Sequence, residues 1–344
     1  MLLGNGYRFD PDSFPSSLSP SQKEARQLFL GRIHAKDRYI SVDKCPFCGA
    51  SGFIKISERD ARGLPAEISV CESCGGCFKS RILDPEANGF HYENISYILR
   101  GKDRSSEAVE KLFNKRVREF AYPRYSFIRH FVNLEPGKDL IAEFGCGDGA
   151  NLVPWKREGF RVLGIEYDPG MTGFGRSKGL EIAQGDFMTR DTGDMKPKLI
   201  IMSHLLEHVS DVNKVLERIH SVLDPGGCLF IEVPGVRGQG LGKPLSLFDA
   251  EHNYYFDLES LSGALERNRF RIIYGDEYIR ALSRPVSAPP MNFRHRNSGK
   301  HDLLDLMREA ESGSIRIKLM NRMNGMYFKA YYSMLSAGAI HDKA

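Results

Sequence analysis

The stretch Asp139-Leu-Ile-Ala-Glu-Phe-Gly-Cys-Gly-Asp-Gly149 constrains this chain more than any other. Its apolar run, Leu140 to Phe144, reads as a buried strand. The run carries an acid near its end, Glu143. Glycines then stand at alternate positions, Gly145, Gly147 and Gly149, and a helix is expected from about Ala150. A strand that breaks into a glycine turn and then a helix lets ligand atoms approach the main chain closely. The spacing differs from the dinucleotide fingerprint G-x-G-x-x-G, which brings a helix N-terminus to a pyrophosphate. A carboxylate ahead of the turn would repel phosphate and attract an ammonium group. A second apolar run, Arg161 to Ile165, ends on another acid, Glu166. An acid about twenty residues beyond a glycine turn is placed to accept hydrogen bonds from ribose hydroxyls.

Further strands follow at regular intervals. Leu180 to Phe187 gives a third, Lys198 to His204 a fourth, and Leu223 to Val233 a fifth that opens on a Pro-Gly-Gly turn. A helix over Leu258 to Arg267 and a strand over Arg271 to Tyr274 come next. Strands alternating with helices predict an α/β fold with a doubly wound, mostly parallel, Rossmann-like sheet. Ligands of such sheets sit at the carboxyl ends of the strands.

A ligand with an ammonium at the first turn and a ribose at the second strand is S-adenosylmethionine (SAM). The acid-x-Gly-x-Gly-x-Gly pattern beginning at Glu143 resembles the first motif of the class I SAM-dependent methyltransferases. The resemblance implies that Glu143, Gly145, Cys146, Gly147, Glu166, Tyr167, Asp186, Phe187, Ser203 and His204 bind SAM. In that family the acid after the third strand bonds the adenine amino group and the next residue packs on the ring, places filled here by Asp186 and Phe187. The end of the fourth strand, at Ser203 and His204, lies beneath the transferring methyl group. His208, in Leu-Glu-His, is expected to brace the cofactor loop.

Cys45-Pro-Phe-Cys48-Gly49 and Cys71-Glu-Ser-Cys74-Gly75 are two C-x2-C knuckles separated by a strand-rich insert. This spacing predicts a four-cysteine tetrahedral zinc site from Cys45, Cys48, Cys71 and Cys74, structural because all four places are filled. Cys77 is left over as a spare. The stretch 78–104, with Phe90-His-Tyr-Glu-Asn-Ile-Ser-Tyr97, shows no clear period and reads as a linker. Upstream, Ser21-x-x-Glu24 looks like a capping box opening a helix through Ile33.

Between the fifth and sixth strands lies a glycine-rich loop, Pro234 to Lys243, followed by Phe248-Asp-Ala-Glu251-His252. His252 beside Glu251 is the best acid–base pair in the chain, because a histidine titrates near neutrality and a glutamate can orient it or take the proton. The combination of zinc knuckles, linker and Glu-His resembles bacterial methyltransferases of sugar and polysaccharide pathways, including deoxysugar C-methyltransferases. Those enzymes carry a Tyr-x-Glu-His element and a large C-terminal domain. Here Asp249 holds the tyrosine's place, and no counterpart of that large domain is expected in 286–344.

These readings divide the chain into an N-terminal arm and helix (1–40), a zinc-binding domain and linker (41–100), a methyltransferase domain (101–285) and a helical C-terminal extension (286–344). In the extension, Leu303, Leu304, Leu306, Met307, Ile315, Ile317, Leu319, Met320 and Met323 form an apolar face expected to pack on the domain or on a second subunit. Arg294, Arg296 and Lys300 form a basic loop. The net charge of +4 over 344 residues points to no particular macromolecular partner. The expected acceptor is a small molecule or glycan. A nucleic-acid acceptor gripped by the zinc module is the alternative, although Glu58, Asp60, Glu67 and Glu72 offset the module's basic residues. A non-catalytic SAM-binding protein is a third reading, against which the acids Glu143, Glu166 and Asp186 speak. No apolar run reaches membrane-spanning length and no signal peptide opens the chain, so a cytoplasmic location with reduced cysteines is expected.

Overall fold

The computed structural model describes residues 2–101, 105–190, 196–237, 244–288, 299–314 and 326. Helix α1 (Pro20–Arg32) precedes strands β1 (Tyr39–Ser41), β2 (Phe53–Arg59), β3 (Pro65–Cys71), β4 (Cys77–Lys79) and β5 (Arg81–Leu83). Helices α2 (Pro85–Asn94), α3 (Ser96–Leu99), α4 (Ser106–Arg116) and α5 (Tyr122–Phe131) follow, the last two joined by a π turn at Val117–Ala121. Strands and helices then alternate through β6 (Leu140–Phe144), α6 (Leu152–Arg157), β7 (Arg161–Glu166), α7 (Pro169–Ser177), β8 (Ile182–Gln184), β9 (Leu199–Ser203), α8 (Val212–Val222) and β10 (Cys228–Glu232). After these come α9 (Pro244–Leu247), β11 (Tyr254–Tyr255), α10 (Leu258–Arg267), β12 (Phe270–Gly275), β13 (Arg280–Pro285) and α11 (Gly299–Glu311).

The chain forms two compact units. One takes the described residues of 1–104, 234–263 and 294–322, the other those of 105–233, 264–293 and 323–344. The segment 234–263, which the sequence places within the methyltransferase domain, therefore groups with the cysteine-bearing unit.

The second unit is built on a seven-stranded sheet in the order β12-β13-β10-β9-β6-β7-β8. The strands from β8 to β10 run parallel, and β13 runs antiparallel to both of its neighbours. The expected doubly wound, mostly parallel sheet is thus present. Its central strands β6 and β10 are buried along their whole length, as continuous apolar runs covered on both faces must be. Helix α8 lays Val215, Leu216, Ile219 and Val222 on the sheet, and Asp211 caps it by accepting from the amides of Asn213 and Lys214. The core gathers Phe127, Ile141, Leu152, Trp155, Ile182, Leu199, Ile201 and Phe230. Winding reverses between β6 and β9, so a crevice opens there at the carboxyl ends of the strands.

Strand β13, at the end of the stretch the sequence assigns to the methyltransferase domain, is an element the sequence does not reveal. Its sequence begins on Arg280, which is 3 % exposed, and a charge suggests a loop rather than an inner strand. The guanidinium is accommodated because Asp276 accepts from it and the Phe127 ring lies 4.9 Å beneath it.

The first unit holds the antiparallel sheet β11-β4-β3-β2 and the two-stranded sheet β1-β5. Ile56, Ile68, Val70, Phe248, Tyr255, Leu303, Leu304 and Met307 share one core, so the expected apolar face of the tail packs within this unit where it is described. Arg294, Arg296, Ile315, Ile317, Leu319, Met320, Met323 and the side chain of Lys300 lie outside the described residues. Two local expectations are corrected. Helix α1 is capped by Ser19, not Ser21, because Pro20 is suited to the first helical turn and Gln22 closes the box. The stretch read as a linker is largely ordered as β4, β5, α2 and α3, with Asp84 capping α2 through the amide of Ala87. Among the described residues no helix is long and apolar enough to cross a membrane.

Gly175 tests the packing of α7. A Cβ there would stand 2.2 Å from Ile182 Cδ1 and 2.8 Å from the carbonyl oxygen of Asp148. Gly175→Ala should therefore destabilise the chain by about 1–3 kcal/mol, read as a lower melting temperature. An unchanged melting temperature would mean that α7 moves away at no cost.

Candidate functional site

A cavity of about 360 Å³ opens at the switch between β6 and β9. Glu143, Gly145, Cys146, Gly147, Ser203 and His204 line it, which brings six of the expected residues together. The amides of Gly145 and Cys146 donate to the carbonyl of Ile165 at 2.9 and 3.2 Å, folding the turn against β7. Gly145 has φ +65°, and a Cβ on it would meet Leu205 at 2.8 Å. Gly147 has φ +56°, and a Cβ there would meet nothing within 4 Å. Main chain at Gly147 is therefore exposed to whatever occupies the cavity. The buried thiol of Cys146 lies against Gly164, where a Cβ would stand 2.5 Å from the sulfur.

The two principal acids differ in their partners. Glu166 accepts from the amides of Gly147 at 2.8 Å and Asp168 at 2.9 Å, so its carboxylate is fixed in orientation. Glu143 is 1 % exposed. Its Oε1 accepts from Asn151 Nδ2 at 2.6 Å, while Oε2 has no hydrogen-bond partner. Burial pushes its carboxyl up to about 8, against the Asn151 bond and the charge of Arg124.

The same cavity is lined by Arg116, Phe120, Arg124 and Asn151, none of which the sequence reading identified. Arg124 donates to Asn151 Oδ1 at 2.9 Å and pairs with Glu232; Arg116 donates to Asp148 at 2.6 Å. The signal in the sequence was the spacing i, i+4, i+8 of Arg116, Phe120 and Arg124, one helical stripe that also fits a solvated face.

His204, at the end of β9, has φ +53°, unusual for a residue with a side chain. Its Nδ1 lies 3.4 Å from Glu207 and its Nε2 3.7 Å from Glu232. Burial would lower its pKa, but the two carboxylates outweigh that and raise it. His208 lies 3.7 Å from Glu207. Phe187 stacks on Phe144 at 5.5 Å, while Asp186, which caps its own turn through the amide of Met188, and Tyr167, 71 % exposed, stand at the surface.

In the other unit, Cys45 and Cys74 sulfurs are 3.6 Å apart, Cys48 and Cys71 sulfurs 3.5 Å, and all four lie within 4.8 Å of one another. Zinc–sulfur bonds of about 2.3 Å in a tetrahedron require sulfur separations of about 3.8 Å. The donor set and its spacing therefore fit zinc. Gly49 and Gly75, at φ +79° and +72°, close the knuckles onto the carbonyls of Cys45 and Cys71. Cys77 is buried within β4, opposite Val70 and Tyr255, and is not part of the cluster.

Glu251 and His252 sit in this unit on the loop before β11. Glu251 pairs with Arg100 and lies 3.3 Å from His91 Nε2. Burial would raise its carboxyl, but the His91 hydrogen bond and Arg100 hold it well below the usual range. It is therefore a poor proton acceptor, contrary to one of the roles expected of it. Asp249 is engaged by Arg62 at 2.9 Å.

A sequence family described as a methyltransferase domain matches residues 87–274. The chain is 24% identical over 255 residues to the C-methyltransferase NovU of Streptomyces niveus, covering 67% of this chain and 57% of that protein. It is 26% identical over 140 residues to a ubiquinone biosynthesis O-methyltransferase of Bradyrhizobium sp. (strain ORS 278), covering 38% and 54%. The chain spans about half the length of the curated relatives it matches. Among solved structures it is similar to a S-adenosylmethionine-dependent methyltransferase from Clostridium acetobutylicum, with 16% identity, TM-score 0.42, and 53% of this chain and 99% of that one covered. DesVI of Streptomyces venezuelae is similar at 13% identity and TM-score 0.43, covering 54% and 100%.

Glu143 carries a pH signature. Its folded pKa of about 8 stands above the ordinary 4.5, so its contribution to stability is full below 4.5 and is lost as pH rises through 8. Glu143→Gln removes that loss. The stability of the variant relative to the parent should grow from about pH 5 to about pH 9 in thermal melts. A flat difference would mean that Glu143 is not buried as an acid.

Proposed function

Because this chain belongs to the methyltransferase-domain family, matched over residues 87–274, we propose that it transfers the methyl group of SAM to a small-molecule or glycan acceptor. The observation that carries the reading is the buried, unpartnered Oε2 of Glu143 in the cavity at the sheet's switch point. An orphaned buried carboxylate oxygen is costly unless a ligand donor meets it, and the SAM ammonium is such a donor. Glu166, oriented by two amides, would take the ribose hydroxyls. Arg116 and Arg124, each paired with an acid, bring guanidinium groups to the cavity wall that suit a carboxylate. Asp186 and Phe187 are assigned to the adenine by their place after β8. When bound, SAM supplies a methyl group already activated by the sulfonium charge. The chain's own work is then to orient the two reactants and exclude water. Zinc held by Cys45, Cys48, Cys71 and Cys74 would be structural, with no open position.

The curated relatives are named as C- and O-methyltransferases. An acceptor of either kind, a nucleotide-linked sugar or a polysaccharide precursor among them, must surrender a proton. His252 is our assignment for the residue that takes it, since Glu251 is committed to Arg100 and His91.

Titration calorimetry with SAM tests the reading. Binding at pH 7 should release protons, seen as heats that change with the buffer's ionisation enthalpy, and Glu143→Gln should abolish that dependence. Glu166→Ala should weaken SAM binding by about 10–100-fold, the loss of charge-assisted hydrogen bonds. No saturable binding of SAM by folded chain would end the proposal. Elemental analysis should find about one zinc per chain, lost with Cys74→Ser.

A further inference from the structure

We propose that Lys79 and Asp60 are positioning residues for His252, acting as a clamp on the main chain of Ala250. The inference rests on the assignment of His252 above and extends it to the part of the cysteine-bearing unit that holds its loop. Ala250 N–H donates to Asp60 Oδ2 at 3.1 Å, and the carbonyl of Ala250 accepts from Lys79 Nζ at 2.6 Å. Both polar atoms of one residue, two positions before His252, are thus held by side chains from β4 and from the turn between β2 and β3. The loop is fixed at each end as well. Ala61 N–H donates to the carbonyl of Phe248 at 2.9 Å, and Lys79 N–H to that of Asn253 at 2.9 Å.

The chemistry of the clamp argues for purpose. Lys79 is 3 % exposed and Asp60 fully buried. Burial lowers Lys79 to about 8, against the attraction of Asp249, Asp60 and Glu251, while burial and Asp249 push Asp60 up to about 7. Two buried ionisable side chains are a poor route to stability, because apolar residues of similar size usually serve as well or better. What the pair provides instead is geometry. Asp60 is itself held rigid, since its Oδ1 accepts from the amides of Arg62 at 2.9 Å and Leu64 at 2.7 Å. Lys79 stands on a strand paired with both β3 and β11. Arg62 adds a third hold through Asp249. Polar groups of the module are thus spent on its own chain at this loop.

The test uses the full chain in three forms: parent, Lys79→Met and Lys79→Arg. Hydrogen exchange reads residues 248–256 and β3, a ring-proton NMR titration reads the midpoint of His252, and calorimetry with SAM runs alongside. In Lys79→Met, exchange in 248–256 should quicken by about tenfold or more while β3 stays protected. The His252 midpoint should move and SAM affinity should hold. Lys79→Arg, which keeps a donor, should return the midpoint toward the parent value. Unchanged loop exchange and midpoint in Lys79→Met overturn the proposal. So does equal quickening across β3, which would make Lys79 a plain stabiliser. If Lys79→Met does not fold, Asp60→Asn, which leaves one acceptor oxygen for three amides, must give the same local loosening or the clamp is refuted. Failure of the parent to bind SAM would strike the proposed function, while loop exchange would still decide for or against the clamp.

Discussion

A carboxylate buried near the carboxyl end of β6, bonded through one oxygen and not the other, is the constraint on which the sheet unit turns. Glu143 accepts from Asn151, Asn151 accepts from Arg124, and Arg124 pairs with Glu232. That chain of contacts ties the ends of β6 and β10 to the start of α6 and to α5, across the mouth of one cavity. Desolvating a carboxylate without completing its hydrogen bonds costs free energy that packing alone does not return. The sheet around it is well enough packed to hold the arrangement, with Trp155, Phe144 and Phe230 almost wholly buried. The incomplete partnership is therefore better explained by a ligand than by folding.

The cysteine-bearing unit solves a different problem. Its sheet is small, and its interior contains Asp60, Lys79, His91 and Glu251 as well as apolar side chains. A four-cysteine site joins the two knuckles, so order there does not depend on core size alone. Strand β3 ends on Cys71, one of the cluster, and its partner β4 carries Lys79. The four-cysteine cluster and the loop clamp are thus two loads on the same pair of strands. A metal bound by the four cysteines would be coupled to the loop through that pairing.

How far the sequence spoke depended on whether the chemistry was local. The strands β6, β7, β9 and β10 were legible because inner parallel strands are largely apolar runs, and the glycine turn after β6 because positive φ demands glycine. The cysteine knuckles were legible because each supplies half of the site within four residues. Strand β13 was not, since Arg280 reads as a loop residue until Asp276 and Phe127 are seen around it. Helix α2 was hidden because its buried residues, Ala87 and His91, make no apolar stripe. Arg124 and Asn151 join Glu143 only through tertiary contact. Asp60, counted in the sequence as an acid offsetting surface charge, proves fully buried.

The loop before β11 shows where resemblance and geometry part. In the deoxysugar enzymes that the sequence resembles, a tyrosine stands two places before the Glu-His pair, and a phenol both donates and accepts a proton. Here the place belongs to Asp249, which burial would neutralise but which His252 and Arg62 keep ionised. An ionised carboxylate accepts and does not donate. Glu251 is likewise committed, to Arg100 and His91. Two of the loop's three titratable side chains are thus held as anions by fixed partners, which is why the proposed proton acceptor is the third, His252. On the proposed function His252 need only accept the one proton that a carbon or hydroxyl acceptor gives up, with none returned in the same step.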